Sequence, residues 1–427
     1  MAEMTIRPAR SLQGAVVLPG DKSISHRALM LSAISDGGST ISGLSAARDV
    51  ASTRGCIEAL GVGIEGDRDR IRISGVGLHG LRPPAAPLDA GNSGTTLRLM
   101  AGLLAAQPFE TVIDGDSSLR RRPMRRIIEP LEAMGARIEG VNLRAPLTIH
   151  GGPLHAVDYA SPVASAQVKS CILLAGLYAR GVTRVTEPHS SRDHTERMLA
   201  EFGVRVQSRT GMAGLGRVNR LEAADIDVPG DLSAAAFFIA AACMLPGSSI
   251  EMDNVGVNAT RTGFIETLSS MGACLSQDRA TVRSNEPRAR LTALSSSLRA
   301  VQISGSMIPR IIDEIPVLAV AASQADGATV IRDAAELRVK ESDRIATVCA
   351  NLKKMGAKIR ETRDGMVIRG PVRLQGAEID CHGDHRIAMA FAVAALAASS
   401  ETRLVGTECV DISFPGFFQI LESLRRD

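Results

Sequence analysis

The chain has 427 residues, of which 45% are hydrophobic and 22% are charged, and its formal net charge is +3. This length favours two or three domains, because a single hydrophobic core stops growing at about 250–300 residues. The aromatic content of 3%, with no Trp, leaves few side chains for stacking on bases and argues against a nucleic-acid-binding protein. No apolar run is long enough to cross a membrane.

The N-terminal residues and the cysteines indicate a cellular compartment. The first twenty residues carry charges within their apolar stretches and contain no small-residue cleavage site, so we predict no export signal. The seven cysteines, an odd number with no Cys-x-x-Cys pair, are typical of a reducing environment rather than of a disulfide framework. We therefore expect a cytoplasmic protein.

A pattern recurs along the chain: the end of an amphipathic helix, a glycine, and a stretch of strand-like alternation. Glycine favours the left-handed backbone that ends a helix. The glycines lie 68 to 84 residues apart, at Gly61, Gly135, Gly203, Gly272 and Gly356. This period is longer than the roughly 20–50 residues of solenoid repeats, so we predict duplicated small α/β modules.

A sixth copy begins with helix-like residues 417–424, but too few residues remain for its strand. We predict that the N-terminal segment Thr5-Ile6-Arg7 supplies that strand.

Two similar segments mark the predicted domain boundaries. Pro19-Gly20-Asp21 resembles Pro229-Gly230-Asp231, and each Asp is placed to cap the helix that follows it. If the chain crosses between domains at both segments, residues 21–229 form one domain, and residues 1–20 join residues 230–427 in the other.

Positive side chains gather where helices are predicted to begin. They are Lys22 and Arg27, Arg338 with Lys340 and Arg344, and Arg386, and a separate run places five arginines within residues 120–126. Cations at a helix N-terminus oppose the helix dipole unless an anion lies between them. A glycine-rich turn at residues 91–96 also leads into an apolar helix and lets a ligand approach backbone amides. We therefore predict anionic ligands.

Three local patterns have less specific interpretations. The arginine run, taken alone, is equally well explained as a solvated loop. Residues 75–80 match Gly-x-Gly-x-x-Gly, but Pro83-Pro84 follows where a dinucleotide site needs a helix, so we predict a loop. Cys381, His382 and His385 are possible metal ligands, but no second Cys/His cluster completes a zinc set, and we expect no metal.

Two carboxylates are candidates for acid–base chemistry. Asp313 lies between isoleucines, where a partly desolvated carboxylate is suited to accept a proton. Glu341 lies between Lys340 and Ser342. The residues alone leave open whether Asp313 is catalytic or is a helix-cap or turn residue.

A set of motifs runs in one order along the chain from Pro19 to Pro415. The motifs are Lys22-Ser23-x-x-x-Arg27, Gly91-Asn92-x-Gly94-Thr95, Arg122-Pro123, Ser165-x-Gln167, Asp313, Arg338-Val339-Lys340-Glu341-x-Asp343-Arg344 and Asp384-His385-Arg386. Together they resemble the 5-enolpyruvylshikimate-3-phosphate synthase family. The resemblance implies transfer of the enolpyruvyl group of phosphoenolpyruvate to the 5-hydroxyl of shikimate 3-phosphate. It also implies an α/β fold, an inside-out α/β barrel, in two domains of three βαβαββ modules each, with the active site in the cleft between them.

The resemblance also assigns roles to residues. The contacts to shikimate 3-phosphate come from Lys22, Ser23, Arg27, Ser165, Ala166, Gln167, Arg192, Asp313 and Lys340. The contacts to phosphoenolpyruvate come from Lys22, Gly94, Arg122, Gln167, Arg344 and Arg386. Asp313 accepts the proton of the 5-hydroxyl, and Glu341 or Lys22 protonates the methylene carbon on the way to a tetrahedral ketal. No metal or organic cofactor is implied, and the family is usually monomeric.

The chain departs from the best-known family members at three places. Ala166 stands where many have a second Ser, Arg192 lies near where others have a Tyr, and residues 412–415 lack a Lys two residues before Phe-Pro. We expect Arg192 to take over a phosphate contact. Gly94 leaves room for glyphosate, so we expect the protein to be sensitive to that inhibitor.

Two alternative functions fit the sequence less well than this resemblance does. The sister family that transfers enolpyruvyl to UDP-N-acetylglucosamine has a Cys a few residues before its Arg-Pro, and residues 117–121 contain none. A non-catalytic phosphosugar-binding regulator would need no acid–base residues, so the presence of Lys22, Asp313 and Glu341 favours an enzyme.

Overall fold

A computed structural model describes residues 2–67 and 70–426. Its strands are β1 (Glu3–Ile6), β2 (Ser11–Val16), β3 (Asp36–Ser42), β4 (Gly63–Gly66), β5 (Arg70–Val76), β6 (Leu88–Asp89), β7 (Glu110–Asp114), β8 (Arg137–Gly140), β9 (Leu147–His150), β10 (Asp158–Ala160), β11 (Val182–Thr186), β12 (Gln207–Arg209), β13 (Met212–Gly216), β14 (Ile226–Asp227), β15 (Ser249–Gly256), β16 (Cys274–Arg283), β17 (Glu286–Leu294), β18 (Gln302–Ile303), β19 (Gly327–Ile331), β20 (Lys358–Thr362), β21 (Gly365–Gly370), β22 (Glu378–Asp380), β23 (Thr402–Val405) and β24 (Arg425–Arg426).

The α-helices are α1 (Lys22–Ala33), α2 (Arg48–Ala59), α3 (Gly94–Leu104), α4 (Ser117–Arg121), α5 (Arg125–Ala133), α6 (Ala166–Gly176), α7 (His194–Glu201), α8 (Leu232–Met244), α9 (Gly263–Ser270), α10 (Ile308–Ile311), α11 (Ile315–Gln324), α12 (Arg344–Lys354), α13 (His385–Leu396) and α14 (Phe417–Leu424). Short 3₁₀ helices lie at Val141–Leu143, Gly305–Met307, Ala335–Val339 and Thr407–Ile412.

The chain divides into two compact units. Unit 1 contains Met1–Pro19, Pro229–Thr281 and Pro287–Asp427, and unit 2 contains Gly20–Val228 with Val282–Glu286. The two Pro-Gly-Asp segments therefore lie where the chain passes from one unit to the other. Asp21 and Asp231 cap α1 and α8, as the sequence predicts, by accepting hydrogen bonds from the backbone N–H groups of Ile24 and Ser233.

Unit 2 is built from three similar four-stranded sheets. Their strand orders are β14-β3-β5-β4, β6-β7-β9-β8 and β10-β11-β13-β12. In each sheet the first pair is parallel and the other pairs are antiparallel. The buried helices α1, α3 and α6 contribute to one hydrophobic core. Three repeats of one arrangement are what the evenly spaced glycines predict.

Unit 1 has sheets of order β18-β19-β21-β20, β1-β23-β22 and β16-β17-β15-β2-β24. Its central helices α8, α11 and α13 contact one another, and nearly all their residues are buried. These helices are rich in alanine, and small side chains let buried helices pack closely. The predicted α/β architecture of repeated modules is therefore confirmed.

The glycine stops are confirmed, and the N-terminal strand is confirmed with different bounds, because it spans Glu3–Ile6 and excludes Arg7. All five repeat glycines have positive φ, between 77° and 95°. Strands β8 and β20 follow Gly135 and Gly356 almost directly, whereas the strand after Gly203 begins only at Gln207. Strand β1 pairs antiparallel with β23, with Thr5 opposite Arg403, so the N-terminus completes the last module. The C-terminal strand β24 pairs with β2 instead.

Two further expectations concern loops and membranes. Gly75 and Val76 of the Gly-x-Gly-x-x-Gly segment are the last residues of β5 rather than part of a loop, whereas residues 77–80 form the predicted loop and lead into no helix. Within residues 2–67 and 70–426, no helix combines the length and the apolar character needed to cross a membrane.

The contact between α3 and α6 gives a test of the core of unit 2. A Cβ added at Gly102 would lie 2.2 Å from the carbonyl oxygen of Cys171, and that backbone cannot move without separating the two helices. We expect Gly102→Ala to lower the free energy of unfolding by about 1–3 kcal/mol, measured by urea denaturation.

Gly55→Ala is the matched control, because Gly55 lies within α2 and nothing is within 4 Å of its added Cβ. It should stabilise the protein by about 0.5–1 kcal/mol, since alanine favours the helix. Equal effects of the two substitutions would contradict the packing described for α3 and α6.

Candidate active site

The first predicted motif lies at the start of α1 in unit 2. Asp21 caps the helix, and the Lys22 ammonium forms an ion pair with the Asp49 carboxylate at 3.1 Å. Both side chains of this pair are 15% exposed. Lys22 is therefore held in place while part of its surface stays accessible.

Arg27 is buried one turn further along α1. Its Nε donates to the Thr195 hydroxyl at 2.6 Å, and its Nη2 donates to the Ser170 hydroxyl at 2.7 Å. Burial lowers the pKa of Arg27 to about 10, and the charge of Arg192 acts in the same direction while that of Glu196 opposes it. Thr195 lies three residues after Arg192, so Arg27 contacts the helix that directly follows the Arg192 segment.

The glycine-rich turn forms the start of α3. Ser93 caps the helix by accepting from the backbone N–H of Thr96. A Cβ added at Gly94 would lie 2.7 Å from Arg98 Nη1 and 3.2 Å from Arg122 Nη1, so two guanidinium groups border this glycine. Arg122 also donates to the Asn92 side-chain oxygen at 2.8 Å. The turn and the Arg122-Pro123 motif are thus brought together, as the resemblance implies.

The start of α6 adjoins the same region. Ser165 caps α6, and Ala166 and Gln167 are its first residues. The Gln167 side chain accepts from Arg98 at 2.7 Å and donates to the Thr95 hydroxyl at 3.0 Å. Gln167 is therefore tied to the start of α3.

The predicted residues of unit 1 centre on Arg344, the first residue of α12, which is 1% exposed. Its guanidinium donates to Asp384 at 2.8 Å, to Glu341 at 2.7 Å and to Asp313 at 3.3 Å. Burial opposes the charge of Arg344, but Asp384 and Glu341 outweigh that effect and raise its pKa. One arginine thus holds both carboxylates that the sequence proposes for proton transfer.

Asp313 occupies the turn between α10 and α11, and its side chain is 19% exposed. It is a turn residue, while Glu314 takes the N-cap position of α11. Arg386, at the start of α13, lies 4.0 Å from Asp313 and 3.6 Å from the buried Glu314. Asp313 is therefore a turn residue that also lies beside two arginines, Arg344 and Arg386.

The remaining predicted residues lie beside these groups. Lys340 follows the 3₁₀ helix Ala335–Val339 and is partly buried. Arg338 lies within that 3₁₀ helix rather than at the start of α12, and it pairs with Asp343 and Glu361. The Arg338 guanidinium nevertheless reaches the start of α12, because its partner Asp343 is the N-cap residue of that helix.

Several residues of these clusters were not predicted from the sequence. They are Asp49, Arg98, Lys169, Glu187, Glu196 and Glu314. Asp49 lies 27 residues after its partner Lys22, and Glu187 lies 22 residues after its partner Ser165. No local motif marks these residues. For Asp49 and Glu314 the only signal is the partner, since a buried cation requires a nearby anion.

Comparison with known proteins gives one consistent result along the chain. Residues 6–421 match the family model described as EPSP synthase (3-phosphoshikimate 1-carboxyvinyltransferase). The chain belongs to the EPSP synthase family. A 3-phosphoshikimate 1-carboxyvinyltransferase of Brevibacillus brevis is 51% identical over 425 residues, covering 99% of this chain and 100% of that protein.

Further relatives agree with this family membership. A protein of the same name from Bacillus thuringiensis is 50% identical over 429 residues, covering 100% of both chains. A solved structure of EPSP synthase from Acinetobacter baumannii has a TM-score of 0.88 and 43% identity, covering 99% of this chain and 98% of that one. The family fold predicted from the motifs is therefore confirmed by sequence and by structure.

The Arg344 cluster gives a test of its own. Asp384 is fully buried and accepts from Arg344, from the hydroxyl of Ser342 and from the backbone N–H of Arg386. We expect Asp384→Asn to lower the free energy of unfolding by about 3 kcal/mol, because it removes one partner of a buried ion pair. Urea denaturation would measure this change.

Asp343→Asn is the matched control, because Asp343 also caps a helix and also pairs with an arginine, but is more exposed. Asparagine caps helices about as well as aspartate, and Arg338 keeps Glu361, so a loss of less than about 1 kcal/mol is expected. A larger loss for Asp343→Asn than for Asp384→Asn would contradict the central place of the buried cluster.

Proposed function

We infer that the chain transfers the enolpyruvyl group of phosphoenolpyruvate to the 5-hydroxyl of 3-phosphoshikimate and releases phosphate. The observation that carries this inference is the family match across residues 6–421. It is supported by the contacts of Arg344, which gathers Asp313 and Glu341, the two carboxylates suited to moving protons. This reaction belongs to the shikimate pathway.

On unit 2 we propose a 3-phosphoshikimate surface formed by Lys22, Ser23, Arg27, Ser165, Ala166, Gln167 and Arg192. The phosphate group is assigned to Ser165, Arg27 and Arg192. The hydrogen bond from Arg27 to Thr195, three residues after Arg192, supports this assignment, because guanidinium groups from two adjoining segments suit a dianion. Lys22, Gly94, Arg122 and Gln167 are proposed to contact phosphoenolpyruvate.

On unit 1 we propose that Asp313 and Lys340 contact 3-phosphoshikimate and that Arg344 and Arg386 contact phosphoenolpyruvate. Asp313 takes the proton of the 5-hydroxyl group while the hydroxyl oxygen bonds to the central carbon of phosphoenolpyruvate. Glu341 or Lys22 delivers a proton to the methylene carbon, which gives a tetrahedral ketal. Loss of a proton from the new methyl group, with cleavage of the bond to the phosphate oxygen, regenerates the double bond and releases phosphate.

Arginines can supply the charge stabilisation that this reaction needs. Each preorganised donor aimed at developing charge contributes about 10²–10³-fold in rate. The guanidinium groups of Arg122, Arg344 and Arg386 are each held by a carboxylate or an amide oxygen, so little reorganisation is required. We therefore propose that the reaction needs no metal ion or organic cofactor.

We further propose that the protein acts in the cytoplasm, as a monomer and without a nucleic-acid partner. All seven cysteines lie within the described residues and are free thiols, and Cys274 alone among them is exposed. Burial raises the pKa of Cys171 and Cys243 to about 12, so these thiols stay protonated and unreactive. Light scattering at micromolar concentration would test the monomer.

Asp313→Asn tests the proposed general base. The substitution keeps the size of the side chain but removes the ability to accept a proton. We expect kcat to fall by about 10²–10⁴-fold, while the dissociation constant of 3-phosphoshikimate changes far less. Steady-state kinetics and calorimetry would measure the two quantities.

Asp326→Asn, an exposed carboxylate of the same unit, is the matched control and should leave kcat unchanged. If Asp313→Asn retains kcat within about threefold of the unsubstituted protein, another group must accept the proton, because a general base contributes at least about a hundredfold.

Gly94→Ala tests the proposed phosphoenolpyruvate site. We expect the unsubstituted protein to be inhibited by glyphosate, because glycine at position 94 adds no side chain beside Arg98 and Arg122. The added methyl group displaces those two side chains, so inhibition should weaken by about tenfold or more and KM for phosphoenolpyruvate should rise. Gly55→Ala should change neither value. Full activity of the unsubstituted protein in millimolar glyphosate would contradict the expectation.

A further inference from the structure

A second buried charge cluster lies in unit 2. It consists of Lys169, Glu187 and Glu196, each 5% or 6% exposed. The Lys169 ammonium lies 2.8 Å from Glu196 Oε1 and 3.3 Å from Glu187 Oε2. Removing two carboxylates and an ammonium from water is costly, and well-packed apolar side chains often give equal or greater stability. The cluster therefore calls for an explanation beyond stability.

Glu187 connects two separate segments of the chain. It follows β11, and its Oε1 accepts from the backbone N–H of Ser165 at 2.8 Å. Its two oxygens are also each 2.8 Å from the hydroxyl of Ser191, and Oε2 accepts from the Ser191 backbone N–H at 3.3 Å. One carboxylate thus ties the start of α6 to the segment that leads into α7.

Both segments carry groups assigned to the phosphate of 3-phosphoshikimate. Ser165 caps α6, and Arg192 directly follows Ser191. Thr195 of α7 and Ser170 of α6 also accept hydrogen bonds from the guanidinium of Arg27. The position of Glu187 therefore fixes the spacing between the hydroxyl and the guanidinium groups that a phosphate would meet.

The chemistry of the contacts requires an ionised carboxylate. Every described group that meets the Glu187 carboxylate is a donor: two backbone N–H groups, a hydroxyl and the Lys169 ammonium. An ionised carboxylate accepts through both oxygens, whereas an amide presents an NH₂ group that cannot accept. Lys169 also binds the carbonyl oxygen of Ser191 at 3.3 Å, which fixes the same segment from its other side.

We propose that Glu187 is a positioning residue for recognition of the 3-phosphate. It holds Ser165 and the Ser191-Arg192 segment in fixed positions relative to one another, with Lys169 as its counter-ion. The proposal rests on the proposed function, in which the acceptor carries that phosphate. Glu187 itself does not touch substrate. It acts on affinity for the phosphorylated acceptor and leaves the proton-transfer groups of unit 1 unaffected.

The test is the discrimination between acceptors with and without the 3-phosphate. For the unsubstituted protein and for Glu187→Gln, kcat/KM is measured with 3-phosphoshikimate and with shikimate, at saturating phosphoenolpyruvate. We expect Glu187→Gln to raise KM for 3-phosphoshikimate by about tenfold or more, because it misaligns charge-assisted hydrogen bonds. The kcat/KM for shikimate should change little, so the ratio of the two values falls by the same factor.

Glu196→Gln is the matched control. It neutralises the other carboxylate beside Lys169, at equal burial, but Glu196 makes no described contact with Ser165 or Ser191. Because the Glu196→Gln variant loses none of those hydrogen bonds, its ratio should stay within about threefold of the unsubstituted value. An equal fall in the ratio for both variants, or an equal loss of activity toward both acceptors in Glu187→Gln, would overturn the proposal by showing a general structural effect.

Two further outcomes are distinguishable. If the unsubstituted protein does not prefer 3-phosphoshikimate to shikimate, the proposed function fails before the role of Glu187 is tested. If Glu187→Gln does not fold, Ser191→Ala removes a hydroxyl donor to Glu187 without exposing a charge. That variant should lower the ratio in the same direction, and an unchanged ratio would overturn the proposal.

Discussion

A buried guanidinium must be matched by carboxylates, and the Arg344 cluster shows how much of unit 1 depends on that constraint. Arg344 begins α12, Asp384 caps α13, and Asp313 lies in the turn before α11. Their ion pairs therefore fix the starts of three segments relative to one another. Removing any one partner leaves a buried charge without its full complement, which costs far more than an exposed salt bridge contributes.

The same constraint explains why the proposed reaction centre needs little rearrangement within unit 1. Asp313 and Glu341 are held by contacts to one rigid helix start rather than by mobile loops. Preorganised charges stabilise a transition state without paying reorganisation energy at the moment of reaction. In unit 2 the buried Lys169 cluster has the role that the Arg344 cluster has in unit 1. It holds the starts of α6 and α7, beside the proposed phosphate contacts.

The sequence predicted those parts of the fold that local chemistry determines. The five repeat glycines end helices because each backbone is left-handed there, and the Asp of each Pro-Gly-Asp segment caps a helix. The N-terminal strand was found because a module lacked one. The motif residues were found through family resemblance, and the placement of positive residues at predicted helix starts indicates only anionic ligands.

The remaining contacts depend on tertiary structure that the sequence does not show. Positive charge at helix starts predicted anionic ligands, but the structure places the protein's own carboxylates beside several of these cations, including Asp49 at Lys22 and Asp384 at Arg344. A cation at a helix start is therefore an ambiguous signal for a ligand. Glu187 and Glu314 were not predicted because Ser165 and Arg386, the partners that link them to the proposed sites, are distant in sequence.

The most direct test of this account is the release of phosphate from phosphoenolpyruvate in the presence of each possible acceptor. 3-Phosphoshikimate and UDP-N-acetylglucosamine would be supplied separately, with and without a metal chelator. The account predicts release with 3-phosphoshikimate alone, at a rate that the chelator does not change. Release with UDP-N-acetylglucosamine alone, or with neither acceptor, would contradict it.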